Sequence, residues 1–280
     1  MKVGLCLGGG GSRGYAHVGA IRALTEAGIK IDIVNGTSIG AIMGGMYALY
    51  LDVDEMTSRI KEVVDSIHVN HFNLFRHSAD GPTFLKNWLT EAVCDVASLK
   101  QSLQSHKNNI KALALLFGEY RFKDTKIPFS AISTDLVTGQ SVIIKRGKLV
   151  DGILASASLP GIFPPVKRGK KLLVDGFVLA NIPVAELRQQ GADFIISIEL
   201  VESPSVDYKN GLELLYYVES LKQKQLEQWA INESDFHFKI DLSEFDSSHF
   251  ENYLVAIERG YKTTKSVIPQ LLKTLEKAHV

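Results

Sequence analysis

The first fifty residues constrain the fold most. An apolar run, Lys2–Leu7, breaks into Gly8-Gly9-Gly10-Gly11, and a helical stretch over Ser12–Ala27 then stops at Gly28. A second apolar run, Ile31–Asn35, enters Gly36-Thr37-Ser38-Ile39-Gly40 and the continuously apolar IGAIMGGMYAL. Strand-length runs alternating with helix-length periodicity make a β-α-β-α opening. Strands joined by helical crossovers pair in parallel, and a parallel sheet has to be covered on both faces. The chain is therefore expected to be α/β, with a mainly parallel central sheet between two layers of helices.

The rest of the chain continues in that style. Helices are expected at 54–66, with Asp52 or Asp54 as cap, and at 82–97 and 108–118. Residues 67–82 mix polar groups, aromatics and a Gly-Pro step, and read as a mobile loop. Pro128–Thr134 and Ser141–Lys145 read as strands joined through Thr138-Gly139, and Val166–Arg168 with Lys171–Val174 as a hairpin that delivers Asp175 at its end. Asp193–Glu199 is a buried strand, Gly211–Asn232 a helix, Phe236–Asp241 an alternating strand, and Phe250–Lys277 a helix that Pro269 should kink or restart. No repeat or linker interrupts the 280 residues. One domain is expected, with its motifs in about 1–200 and a helical part over about 208–280.

Composition excludes some classes of function. Hydrophobic residues at 45% supply a core, and Lys plus Arg equals Asp plus Glu at 31 each, so no general field draws in nucleic acid. Cys6 and Cys94 lie far apart in apolar surroundings and read as reduced core residues, which suits a cytoplasmic protein. The N-terminus reads as a first strand, not a signal peptide. The other long apolar stretch, Ile39–Leu51, is short of the about 20 residues that span a bilayer, so any membrane contact is expected to be peripheral. The sequence carries no sign of oligomeric state and no metal site beyond the loose His68, His71 and His77.

Two glycine motifs carry chemistry. Gly36-x-Ser38-x-Gly40 sits between a strand and an apolar helix, where a tight elbow holds a serine at the helix N-terminus. The bland alternative is a turn with Ser38 as N-cap. The loop Gly9-Gly10-Gly11-Ser12-Arg13-Gly14 also leaves a strand and opens a helix, so its N–H groups can face an anion. It satisfies the dinucleotide pattern at Gly9, Gly11 and Gly14, with Asp32 downstream, but Asp32 begins its strand where that fold places an acidic residue at the end. If both loops leave adjacent parallel strands, the glycine N–H groups converge on Ser38 as an oxyanion hole.

A serine hydroxyl needs a base, and histidine is the usual one. His17, His68, His71, His77, His106 and His279 are poorly placed in sequence, while His237 or His249 would give a Ser-Asp-His order. The remaining partner is Asp175 in Leu173-Val174-Asp175-Gly176-Phe177, which taken alone reads as a turn aspartate before glycine.

Together, the glycine loop with Arg13, the Gly-Thr-Ser-Ile-Gly elbow, ASASLPGIFPP at 155–165 and VDGFVLANIPV at 174–184 resemble the patatin-like phospholipase family in order and spacing. They look most like small bacterial members related to the neuropathy-target-esterase branch. The resemblance spans about residues 1–200. It implies a three-layer α/β/α fold and hydrolysis of phospholipid or lysophospholipid acyl esters, without cofactor. It also implies a histidine-free dyad of Ser38 and Asp175, with Gly9–Gly14 as oxyanion loop and Arg13 at its basic position. One departure stands out: Asp175-Gly176 is followed by Phe177, where the family commonly has glycine or alanine. The block at 155–165 is a candidate acyl slot or a packed connector. The competing readings are a non-catalytic adaptor on this fold and a dinucleotide-binding protein.

Overall fold

A computed structural model describes residues 1–67, 102, 104–201, 211–245 and 250–278. Strands β1 (Val3–Leu7), β2 (Ile33–Thr37) and β3 (Phe129–Asp135) are buried at every position. Helices covering both faces account for that burial, which takes in polar Asn35 and Thr37 of β2 and Ser130, Ser133, Thr134 and Asp135 of β3 as well as the apolar residues. Five strands are parallel, in the order β3-β2-β1-β7-β8, where β7 is Phe194–Val201 and β8 is Phe236–Asp241. At one edge β4 (Gln140–Ile144), β5 (Val166–Arg168) and β6 (Lys171–Asp175) run antiparallel to their partners.

Helices lie on both faces. The larger core gathers Ile21 and Leu24 of α1 (Ala16–Glu26), Met43 and Met46 of α2 (Ile39–Tyr50), and Met56 and Ile60 of α3 (Val53–Ile67). Phe117 of α4 (Lys107–Phe117), Ile153 of α5 (Leu149–Ser156) and Leu271 of α8 (Tyr253–Ala278) complete it. On the other face Cys6, Ile33 and Ile195 meet α6 (Val184–Gln189) and α7 (Gly211–Asn232). Cys6 is buried and unpaired, as expected.

α1 ends where Gly28 adopts φ 72°: the Gly28 N–H reaches Thr25 O and the Ile29 N–H reaches Leu24 O, closing the helix with a left-handed glycine. Three expectations need correction. The helix after the glycine loop begins as a 3₁₀ turn over Gly11–Tyr15, because the loop must turn tightly before α1 can start. α5 and α6 are helices in stretches to which no helix was assigned. α8 begins at Tyr253 after a 3₁₀ turn and continues, without restarting, through an exposed Pro269. The loop at 67–82 lies, beyond Ile67, outside the described residues, as do the helix at 82–97 and Cys94.

Sheet topology sets the site. β3 has two edges: β4 occupies one along Ala131–Asp135, and β2 and β6 share the other. Thr37, the last residue of β2, faces Ile132, while Asp175, the last of β6, faces Ser133. Two strands from opposite directions thus end at consecutive positions of β3.

Candidate active site

Ser38 follows Thr37 directly and sits at φ 55°, ψ −121°. Among the described residues only Leu51 shares a positive φ without being glycine. Such a conformation costs on the order of 1–3 kcal/mol and persists only where its surroundings enforce it. Here they do. A Cβ on Gly36 would lie 2.3 Å from the Gly40 carbonyl, and one on Gly40 would lie 2.2 Å from Leu7 O, so only glycines permit β2 to turn this sharply into α2. The Ser38 N–H donates to Ser156 Oγ at 3.0 Å, and Ser156 Oγ donates to Ile132 O at 2.6 Å. The Ser38 carbonyl accepts from Ala41 and Ile42 N–H, but its side chain makes no capping bond. Ser38 is thus the N-cap of α2 by position but not through its side chain, and the hydroxyl is left for another partner.

That partner is Asp175. It is 1% exposed, its N–H donates to Ser158 O at 2.9 Å, and its Oδ1 accepts from the Phe177 N–H at 2.8 Å. Burial raises its carboxyl from 3.8 to about 7, against the opposing pull of the Phe177 N–H and the Ser38 hydroxyl. Phe177 supplies a backbone N–H to the aspartate, so this unusual side chain leaves the Asp175 turn in place. Gly176 is the position that tolerates no side chain: a Cβ there would lie 2.4 Å from Ile132 O.

The glycine loop wraps the elbow. β1 and β2 are adjacent, with Leu7 opposite Gly36, and a Cβ on Gly9 would come within 3.5 Å of Ser38 Cβ. Gly14 packs so closely on Ile39 that a Cβ would fall 2.1 Å from its Cγ1. Ser12 and Arg13 are buried in the 3₁₀ turn, and Arg13 Nε donates to Gly10 O at 3.1 Å, bracing the loop from within. The six loop residues do not share one role. The Gly9 N–H is taken by Asn181, at 3.1 Å from Oδ1 and 3.3 Å from O, whereas the Gly10 and Gly11 N–H groups have no protein acceptor among the described residues.

The three described histidines are engaged elsewhere. His17 Nε2 donates to Gly8 O at 2.8 Å, and burial lowers this imidazole to about 4, so it stays neutral. His106 Nε2 donates to Pro164 O, and its ring stacks on Phe163. His237 bonds Ser197 and Glu199 on the β7–β8 pair. His68, His71, His77, His249 and His279 lie outside the described residues. The dinucleotide reading also fails: Asp32 accepts from Val3 N–H at the start of β2, the end of the sheet opposite the glycine loop. Cavities of about 300 and 380 Å³ open at that end too, around Lys2, Phe122 and Lys145, away from Ser38.

The block at 155–165 supplies structure for the elbow as well as apolar surface. Its Ser156 hydroxyl holds the Ser38 N–H and its Ser158 carbonyl holds the Asp175 N–H, roles that the sequence does not announce. Asn181 was visible only as part of a motif string. Its contact with Gly9 crosses 172 residues, which no local pattern reports.

The profile of a family described as patatin-like phospholipase matches residues 5–188. The chain belongs to that family. Among relatives of the patatin-like chain, lysophospholipase NTE1 of Kluyveromyces lactis is 34% identical over 200 residues, which is 71% of this chain and 13% of the relative. Lysophospholipase nte1 of Emericella nidulans is 35% identical over 198 residues, 71% of this chain and 12% of the relative. The branch expected from the motifs is borne out. This patatin-like chain thus spans a small part of the length of these curated relatives. Among solved structures, VipD from Legionella pneumophila superposes with a TM-score of 0.52 at 16% identity, covering 96% of this chain and 67% of that one, which supports the three-layer fold. Among the described residues no helix is long and apolar enough to cross a membrane, and no cluster of histidine, cysteine and carboxylate side chains suits a metal ion.

Proposed function

We propose that the chain is a serine acyl-ester hydrolase acting on phospholipid or lysophospholipid esters, with Ser38 as nucleophile and Asp175 as its base. The observation that carries this reading is a serine held at φ 55° beside a buried carboxyl raised to about 7. An ordinary surface aspartate is too weak a base for a hydroxyl. One desolvated to near neutrality is matched to proton transfer at physiological pH.

In the acylation step the Asp175 carboxylate takes the Ser38 proton as Oγ bonds to the ester carbonyl carbon. The carbonyl electrons move onto oxygen, where the Gly10 and Gly11 N–H groups stabilise the charge. The C–O bond to the alcohol portion then breaks and that portion leaves with the proton from Asp175. Water attacks the acyl-serine by the same route, giving its proton to Asp175. The fatty acid departs and Ser38 regains its hydrogen. Gly9 anchors the loop, Arg13 braces it, and Gly14, Gly36 and Gly40 permit the close packing. No step calls for a metal or cofactor.

The lysophospholipase name of the relatives favours a single-chain lipid as substrate. Such a lipid is met at a membrane surface, so we read the contact with membrane as peripheral. Fatty-acid release from lysophosphatidylcholine and from a p-nitrophenyl acyl-ester series tests the proposal. Release by the wild type that vanishes in Ser38→Ala supports it. Release undiminished in Ser38→Ala, or none from folded wild type, overturns it.

A further inference from the structure

The loop that abuts Ser38 is held by a residue that is itself held from a distant helix. Asn181 Oδ1 accepts the Gly9 N–H at 3.1 Å, and its Nδ2 donates to Glu227 Oε1 at 2.5 Å. A side-chain amide has a donor end and an acceptor end of nearly equal shape, and flipping it would turn an N–H against the Gly9 N–H. An acceptor on the far side removes that option. Glu227 of α7 is that acceptor, so it dictates which way the amide lies.

Asn181 also lies within a segment clipped to β2 just ahead of Ser38. Thr37 Oγ1 donates to Ala180 O and Asn35 Nδ2 donates to Pro183 O, both at 2.7 Å. The same stretch begins at Asp175, so aspartate, elbow and glycine loop are referenced to one short piece of chain. A Cβ at position 9 would lie 2.4 Å from Asn181 Oδ1, so any side chain there would push the amide out of place.

We propose that Asn181 and Glu227 are positioning residues that fix the glycine loop in register with Ser38, so that α7, beyond the family match at 5–188, takes part in the active site. This rests on the reading of that loop as the oxyanion hole. Glu227 is partly buried in a charged setting. Its carboxyl is raised by burial and by nearby Glu199, with the Asn181 amide, Lys224 and Lys239 opposing; Glu199 in turn bonds His237 and Lys239.

A misplaced loop weakens transition-state stabilisation more than ground-state binding. The defect should therefore appear in kcat, with KM little changed. A direct oxyanion donor is worth about 10²–10³ in rate, and an indirect anchor less. We expect Glu227→Ala to lower kcat about tenfold and Asn181→Ala further. Glu227→Gln, which keeps an acceptor for Asn181, should stay within about twofold of wild type. The double variant should be no worse than Asn181→Ala, because the two residues act in series.

The experiment measures kcat, KM, the rate of labelling by a fluorophosphonate and the melting temperature for wild type, Ser38→Ala and these variants. Loss of kcat and labelling rate in Glu227→Ala, recovery in Glu227→Gln, and a folded protein throughout support the proposal. Wild-type kcat in Glu227→Ala overturns it, as does a defect equal in the alanine and glutamine variants. If Asn181→Ala fails to fold, the two Glu227 variants decide alone. Wild type that neither turns over nor labels refutes instead the hydrolase reading beneath it.

Discussion

Asp175→Asn should inactivate the protein and stabilise it, by an amount that depends on pH. Burial raises the carboxyl from 3.8 to about 7, so above that pH the folded chain holds a charge that water would solvate better. In the unfolded chain the group ionises near 3.9. Between roughly pH 4 and 7 the folded state therefore retains a proton that the unfolded state has released. Stability falls across that window as pH rises, and levels off above it. At about 1.36 kcal/mol per pH unit the whole window is worth about 4 kcal/mol. Asparagine keeps the shape and an oxygen for the Phe177 N–H, but carries no charge to desolvate. The variant should thus exceed wild type by about 4 kcal/mol near pH 8.5 and by only about 1.5 kcal/mol near pH 5. Urea unfolding at the two pH values, with matched m-values, reads the gap directly. A gap that does not change with pH, or a variant less stable than wild type near pH 8.5, refutes the claim that burial sets the charge of this carboxyl.

Three further outcomes follow from the same geometry. kcat/KM should rise about tenfold per pH unit below about 7 and level off above it, since only the ionised carboxylate accepts the Ser38 proton; a profile flat from pH 5 to 8 excludes Asp175 as the base. Ser156→Ala strands the Ser38 N–H and the Ile132 carbonyl, and should cost about 1–3 kcal/mol in denaturant unfolding while lowering kcat; wild-type values in both contradict the assigned bonds. Gly14→Ala places a methyl 2.1 Å from Ile39 Cγ1, and should cost about 1–3 kcal/mol and slow fluorophosphonate labelling; unchanged melting and labelling would mean the loop is not packed on the elbow.

Much of this arrangement is legible in the sequence because its signals are local. β1 and the opening of β2 read as strands because burial on both faces favours apolar residues there, whereas β3 also buries Ser130, Ser133, Thr134 and Asp135; the glycines of the two loops mark turns that nothing larger can make. β8 alternates as expected, with Phe236, Phe238 and Ile240 buried and Lys239 and Asp241 exposed. α5 and α6 are not legible in the sequence because they are 8 and 6 residues long, too short to display a helical period. The site was legible as motifs and not as contacts. Ser38 and Asp175 are brought together by the register of β3, and the role of Asp175 could be taken only from resemblance, since a turn aspartate has the same local sequence. Asn181 and Glu227 act across 172 and 46 residues, and their partners are set by packing alone.

Mass spectrometry of fluorophosphonate-treated protein, digested and mapped, tests the central claim most directly when run on wild type, Ser38→Ala and Asp175→Asn. The account requires one adduct on Ser38 in the wild type, none in Ser38→Ala, and a large loss in Asp175→Asn although that variant is folded. An adduct elsewhere, or labelling of Asp175→Asn at the wild-type rate, would contradict a Ser38 nucleophile activated by Asp175.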